Sequence, residues 1–273
     1  IASSEIVKPI QIKIIDRRNI PDKKQYLRKL VSTKEKLLMY VRDDSAVDQL
    51  QRILSSSMLK DKLGLCYSMT SEDEADEMKS RLIEDELLAI ISCIPFEEPL
   101  DGLKHLIFCH PVPTKDIFVA SCAPALESQE QVNIHLIFNN NDIEFLTSQL
   151  NRQYPDRNLL ANVYKKIRDL HKEKNNEQVL FDEIMSSLIL DEPKEFILSR
   201  CIDIFEELGL VRRNRIYEKI AVFIPPDSPK YRDLYESKIY SNGDRIKNEW
   251  ANFSKSIITK TAEEIRKMIM EYF

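Results

Sequence analysis

A chain of 273 residues has room for one large domain or two modest ones, and 43% hydrophobic with 31% charged residues place it among packed globular proteins rather than disordered ones. Only four glycines occur, Gly64, Gly102, Gly209 and Gly243, and no GxGxxG or GxxxxGKS/T run is present, which excludes a glycine-rich phosphate cradle. The net charge of −5 is uneven, with 18 Lys and Arg against 24 Asp and Glu in residues 1–150 and 22 against 21 thereafter, so the first half is a poor holder of a phosphate backbone.

Apolar runs at 10–15, 37–41, 87–93, 106–109 and 134–138 are short, rich in β-branched or aromatic residues and bounded by polar ones, and they predict strands. Between them, 23–31, 46–59, 73–82 and 143–153 place apolar residues three and four apart, as helices with one buried face require. Strands alternating with helices predict an α/β domain with a largely parallel sheet covered on both faces, here over 1–154.

The pattern turns helical after Tyr154-Pro155-Asp156, where Asp156 can cap a helix whose apolar face is Leu159, Val163, Ile167 and Leu170. Helices follow at 181–188 and 193–208, the second stopped by Gly209 in a left-handed conformation. Leu210-Val211 and Ile220-Ala221-Val222-Phe223-Ile224 then flank a polar, basic turn, so three helices and a hairpin outline a winged-helix-like α+β unit over 155–226. The remaining 227–273 form a C-terminal helical extension, read as one long helix with the stripe Ile246, Trp250, Phe253, Ile257, Thr261, Ile265 and Met268.

Cys66, Cys93, Cys109, Cys122 and Cys201 are odd in number and contain no CxxC pair, so they read as buried thiols of a reducing, cytoplasmic setting rather than disulfides or zinc ligands. No stretch reaches the roughly 18 apolar residues of a membrane span, so no membrane contact is expected, and the start at Ile1 is expected to mark a fragment.

Few residues offer chemistry. His110 ends the 106–109 strand, where α/β sheets place active residues, but no second histidine or carboxylate stands at ligand spacing from it. Cys109 beside it has no helix amino terminus to lower its pKa, so no catalytic residue is assigned. Glu72, Asp73, Glu74, Asp76 and Glu77, followed by Glu84, Asp85 and Glu86, point in different directions along a helix and read as a solvated acidic face. Arg212, Arg213, Arg215 and Lys219 cluster in the wing, with Lys165, Lys166, Arg168, Lys172 and Lys174 on the first helix of that unit, and of these Arg212, Arg213, Arg215, Lys219, Lys165 and Lys166 are the candidate contacts to a nucleic-acid backbone.

Several segments carry a family likeness. Lys13-Ile14-Ile15-Asp16-Arg17-Arg18, Asp22-Lys23-Lys24-Gln25-Tyr26-Leu27 and Lys36-Leu37-Leu38-Met39-Tyr40-Val41-Arg42 resemble the region after the OB domain in RecJ-type single-stranded-DNA-specific exonucleases of Firmicutes-like bacteria. So do His105-Leu106-Ile107-Phe108, Val132-Asn133-Ile134-His135-Leu136-Ile137-Phe138, Pro155-Asp156-Arg157, Phe205-Glu206-Glu207-Leu208-Gly209-Leu210 and Leu234-Tyr235-Glu236-Ser237. The layout is also similar to the second RecA-like domain of RecQ-type helicases followed by a winged helix, with a further strand at Cys66-Tyr67. It departs from helicases after Pro113, where Thr114-Lys115-Asp116-Ile117-Phe118-Val119-Ala120-Ser121-Cys122-Ala123 lacks the glycine and paired arginines presented to ATP. The fold expected is therefore a degenerate RecA-like sheet with a winged-helix-like unit and a long C-terminal helix.

The resemblance implies a non-catalytic accessory region of a 5′ to 3′ exonuclease in DNA repair and recombination. No cofactor is expected in this segment, since the DHH-type motif is missing from it, and manganese or magnesium would belong to upstream catalytic domains. Weakly held single-stranded DNA and a single-stranded-DNA-binding protein or helicase are the expected partners. The alternatives are a free-standing helicase-like interaction module without ATPase activity, and an α/β enzyme using His110 and Cys109.

Overall fold

A computed structural model describes residues 11–55, 59, 61–126, 130–175, 177–228 and 231–273. Ile10, the expected start of the first strand, and residues 56–58 of the expected second helix lie outside them. Two compact units result: the described residues up to Glu144 together with Asn252–Phe273, and Phe145–Ala251. The segments drawn at 154 and 226 follow composition, whereas these units follow packing and share the stretch 227–273 between them.

The first unit holds strands β1 (Ile12–Asp16), β2 (Leu37–Tyr40), β3 (Leu63–Cys66), β4 (Ala89–Ser92), β5 (His105–Phe108) and β6 (Val132–Leu136). They form one sheet in the order β1-β6-β5-β2-β4-β3, and every pairing is parallel. Helices α1 (Lys23–Val31), α2 (Asp44–Leu54), α3 (Glu72–Ile83), α4 (Lys115–Ala120) and the start of α5 (Asn140–Gln153) alternate with the strands. This is the largely parallel α/β sheet that the alternation of strands and helices predicted. All four residues of β2, β4 and β5 are buried, which is why those runs are continuously apolar rather than alternating. The edge strand β3, Leu63-Gly64-Leu65-Cys66, has no β-branched residue to signal it; the helicase-like layout placed a strand at Cys66-Tyr67, and the strand instead begins at Leu63 and ends at Cys66.

The six-residue helix α4 is also absent from the sequence pattern, being shorter than two turns. Thr114 caps it by accepting from the Ile117 amide at 3.2 Å, and Phe118 and Val119 bury its inner face. Thr114→Ala is expected to cost about 1 kcal/mol of stability, read as a shifted urea midpoint at unchanged slope.

The single C-terminal helix expected from the stripe is two helices, α9 (Lys238–Thr259) and α10 (Ala262–Met270). The break has a local cause. Thr261 leaves the stripe to cap α10, accepting from the Glu264 amide at 3.3 Å while the Glu264 carboxylate takes the Thr261 N–H at 2.7 Å. Arg18 then satisfies the end of α9, donating to the carbonyls of Ile257, of Ile258 at 3.0 Å and of Lys260 at 2.8 Å. Buried Ile265, Met268 and Ile269 hold α10, and Arg266 Nε donates to the Ile12 carbonyl at 3.1 Å, so the open edge at β1 is covered. No helix among the described residues is long and apolar enough to cross a membrane.

The second unit runs α6 (Arg157–Glu173), β7 (Val179–Leu180), α7 (Phe181–Ser186), α8 (Lys194–Glu207), β8 (Arg212–Ile216) and β9 (Lys219–Phe223), with the strands antiparallel in the order β7-β9-β8. This order is a winged helix. Val163, Ile167, Ile184, Leu198, Ile202 and Phe205 lie in its core, and Gly209 closes α8 at φ 69°. The hairpin differs from the expected one in register: the basic run Arg212–Ile216 is itself strand β8, and the turn is Tyr217-Glu218 between Ile216 and Lys219. Exposure of every β8 residue removed the apolar alternation by which a strand is recognised.

Candidate nucleic-acid interface

Asp156 starts α6 by accepting from the Leu159 amide at 2.8 Å, and Leu160, Val163, Ile167 and His171 form its buried face. At about 100° per residue, Lys165, Arg168 and Lys172 then fall within about 60° of one another, on one outer stripe. Lys166 lies about 100° from Lys165, on the opposite shoulder of the helix. Lys174 is held by Glu183, with Nζ to Oε2 at 2.7 Å, so it is a structural cation.

The hairpin separates its own cations by face. Cross-strand partners share a face, and register pairs Arg212 with Phe223 and Ile216 with Lys219. Arg212, Asn214, Ile216, Lys219 and Phe223 therefore lie on one side, and Arg213 and Arg215 on the other. Arg213 is fully engaged: Nε donates to Glu206 at 2.8 Å and Nη2 to Asp203 at 2.7 Å, both on α8. Burial opposes its charge, but those two carboxylates outweigh burial and hold the guanidinium above its ordinary range. Among the described residues Arg212 pairs only with Asp227, at 3.9 Å with both side chains exposed, and such a pair contributes little. The six candidate residues thus do not make one patch. Lys165, Arg212 and Lys219 are outward cations, Arg215 projects from the other side of the wing, Lys166 points away, and Arg213 ties the wing to α8.

The third helix of a winged helix is the one that enters a DNA major groove, and here it is ill suited to do so. The outward residues of α8 include Glu195, Asp203, Glu206 and Glu207, against Lys194 and Arg200. The outward cations of this unit therefore lie on α6 and the hairpin. These enclose a groove of ≈ 900 Å³ lined by Tyr164, Arg168, His171, Lys172, Gln178, Ile216, Phe223 and Pro225, among others. Arg168 and Lys172 belong to the basic helix face that the sequence offered for phosphate contact, and the structure places them at the groove.

In the first unit, successive connections leave β2 and β5 in opposite directions, which opens the switch-point crevice where α/β sheets bind ligands. Arg42 and Asp43 follow β2, and Cys109 and His110 follow β5, with a Lys23–Asp142 ion pair nearby. Burial pushes the Cys109 thiol up to about 12, so it is no thiolate nucleophile. Burial also lowers His110 to about 4, and its Nδ1 is buried without a partner. The acidic residues of α3 are exposed, and among the described residues no group of three His, Cys, Asp or Glu stands as metal ligands.

A relay that spacing did not reveal lies in the sheet. Tyr26 Oη is 2.8 Å from His135 Nδ1, His135 Nε2 is 2.8 Å from His105 Nδ1, and His105 Nε2 is 2.8 Å from Glu35 Oε2. With neutral rings one ordering satisfies every link: Tyr26 donates to His135, His135 to His105, and His105 to the Glu35 carboxylate. The His105 hydrogen bond holds the Glu35 carboxyl below its usual range. Burial, reinforced by His105 and Arg17, lowers His135 to about 3.

No family model matches the chain, and no curated protein matches it. Similar solved structures include the C-terminal part of the Fun30 ATPase domain, 20% identical with a TM-score of 0.39 over 46% of this chain and 43% of that one. Another is the E. coli DEAD-box protein SrmB bound to regulator of ribonuclease activity A, 14% identical with a TM-score of 0.39 over 53% of this chain and 85% of that one. The Mycobacterium smegmatis helicase Lhr bound to ssDNA and AMP-PNP is 12% identical with a TM-score of 0.39 over 80% of this chain and 32% of that one. The chain spans less than half of the Fun30 and Lhr chains.

Proposed function

We propose that this chain is a non-catalytic accessory region of a RecJ-like 5′ to 3′ single-stranded-DNA exonuclease in DNA repair and recombination, guiding the strand and docking a protein partner in the cytoplasm. The reading is carried by the succession of a RecA-like sheet and a winged helix whose elements are the family-like segments themselves. Residues 105–108 are β5, 132–136 are β6, and Phe205 to Leu210 end α8 and enter the wing. Burial holds the Cys109 thiol up at about 12, which supports a scaffold role for the switch point. As the resemblance implies, the proposal gives manganese or magnesium to other domains of the parent enzyme. A single-stranded-DNA-binding protein or a helicase is the proposed partner.

Arg212, Arg215, Lys219 and Lys165 are the proposed backbone contacts, with Lys166 and Arg213 in lesser roles. Replacing Arg212, Arg215 and Lys219 together by Ala is expected to weaken binding to single-stranded DNA roughly tenfold, at about 0.5 kcal/mol for each exposed contact. The slope of log affinity against log salt is expected to fall by about 2 units. Anisotropy titration checks both, and a triple variant that binds as tightly as the parent would overturn the assignment. Top-down mass spectrometry of the native protein tests the accessory role: a far heavier chain supports it, and a chain of this length replaces it with a free-standing interaction module.

A further inference from the structure

We infer that the groove between α6 and the β8–β9 hairpin binds one unstacked nucleotide of a single strand, its base against Ile216 and Phe223 and its phosphate beside Arg168 and Lys172. This rests on the nucleic-acid reading above and names the ligand class of a site that reading leaves open.

Three features of the groove converge on that ligand. Its volume of ≈ 900 Å³ is that of a small-molecule site, and Ile216, Phe223, Ile224, Pro225 and Pro226 give it an apolar wall. Ile216 is 37% exposed at the outer end, so the wall is open to a ligand arriving along the wing. Opposite stand Arg168 and Lys172, one helical turn apart and both exposed; Glu177 also lines the groove, but among the described residues it makes no ion pair with either, and the two cations outnumber it. They form an anion-holding rim with Lys165 continuing the same stripe outward, along the direction a phosphate backbone would take.

Gln178 supplies the third feature. It lines the groove, and among the described residues its buried Oε1 has no hydrogen-bond partner. An orphaned buried acceptor is costly, and a carboxamide edge is suited to pair with the donor and acceptor atoms of a base. An acidic peptide meets the rim equally well but not the wall, because its backbone N–H and C=O groups would be buried against proline and aliphatic side chains without partners. A flat base presents a π-face to that wall and keeps its polar atoms at one edge, which is the geometry by which single strands are held without sequence preference.

The test is fluorescence anisotropy of the full chain with a short labelled oligothymidylate and with the same strand made abasic throughout. The parent is expected to bind the intact strand roughly fivefold or more tightly than the abasic one. Ile216→Ser is expected to abolish that preference at an unchanged salt slope. Arg168→Ala with Lys172→Ala is expected to weaken both strands roughly fivefold and to lower the slope by about 1 unit. All these side chains are exposed, and unchanged circular dichroism melts verify folding. Equal binding of intact and abasic strands would overturn the groove assignment and leave the nucleic-acid reading standing. Absence of binding to either strand would overturn both. A glutamate-rich peptide that binds through Arg168 and Lys172 while oligothymidylate does not would make this a peptide groove and overturn the proposal.

Discussion

Between pH 7.5 and pH 5 the first unit is expected to lose about 4 kcal/mol of folding stability, much of the margin of a typical domain. Burial holds His135 at about 3 and His110 at about 4 in the folded chain, against 6.5 for an unperturbed imidazole. Below pH 6.5 the unfolded chain therefore takes up protons that the folded chain refuses, and stability falls as the pH drops toward the folded values. By pH 5 each group accounts for about 2 kcal/mol. The relay makes the loss at His135 a structural event. A second proton on that ring converts its Nδ1 from acceptor to donor, so Tyr26 can no longer donate to it, and the charge stands beside Arg17 and His105. Urea titrations at the two pH values measure the effect, with His135→Phe as the control. That variant is expected to be less stable at pH 7.5, because Tyr26 and His105 lose a partner, yet to lose about 2 kcal/mol less on acidification. A variant with the parent's full pH dependence would place the titrating group elsewhere.

The parts of this fold that sequence made legible are those in which one local rule decides the outcome. α1 was readable end to end from its apolar spacing, to which the structure adds a cap at Asp22, and the buried central strands because a strand covered on both faces has no polar alternation to lose. Gly209 was readable as a stop for the same reason, since its positive φ suits no side chain so well. Where two rules competed, the stronger local one prevailed: Thr261 fits the helical stripe, but the Thr-x-x-Glu pair it forms with Glu264 ends one helix and begins another. The site was less legible because its geometry is nonlocal. Glu35, Tyr26, His105 and His135 come from a loop, a helix and two strands, and their meeting depends on a register that sets His135 opposite Ile107, two residues along from His105. Arg213 looked like any other wing cation, and only the fold brings Asp203 and Glu206 to it.

Gly243→Ala is expected to destabilise the second unit by about 3 kcal/mol, and the sign of the change carries the argument. In an open helix position the same substitution stabilises by about 1 kcal/mol, because glycine has more backbone freedom to lose than alanine. Gly243 lies within α9, and a Cβ built there would stand 2.6 Å from Cγ and 2.7 Å from Cβ of Tyr154, with Cδ1 closer still. Real carbon atoms do not approach so closely, and the obstructing atoms are the root of the side chain rather than its free end. Nor can Tyr154 retreat easily, since Lys247, one turn further along α9, holds its carbonyl at 2.8 Å. Trp250 Nε1 fixes the same two helices at Thr147 Oγ1, 2.9 Å away. The added methyl must therefore push α9 from α5 along its packed length, at the upper end of what overpacking costs. Thermal unfolding of Gly243→Ala, alone and with Tyr154→Ala, separates this from a propensity effect. The double variant is expected to be less damaged than the sum of the singles, since removing the ring makes room for the methyl. A Gly243→Ala chain as stable as the parent would mean that α5 and α9 do not pack at this distance.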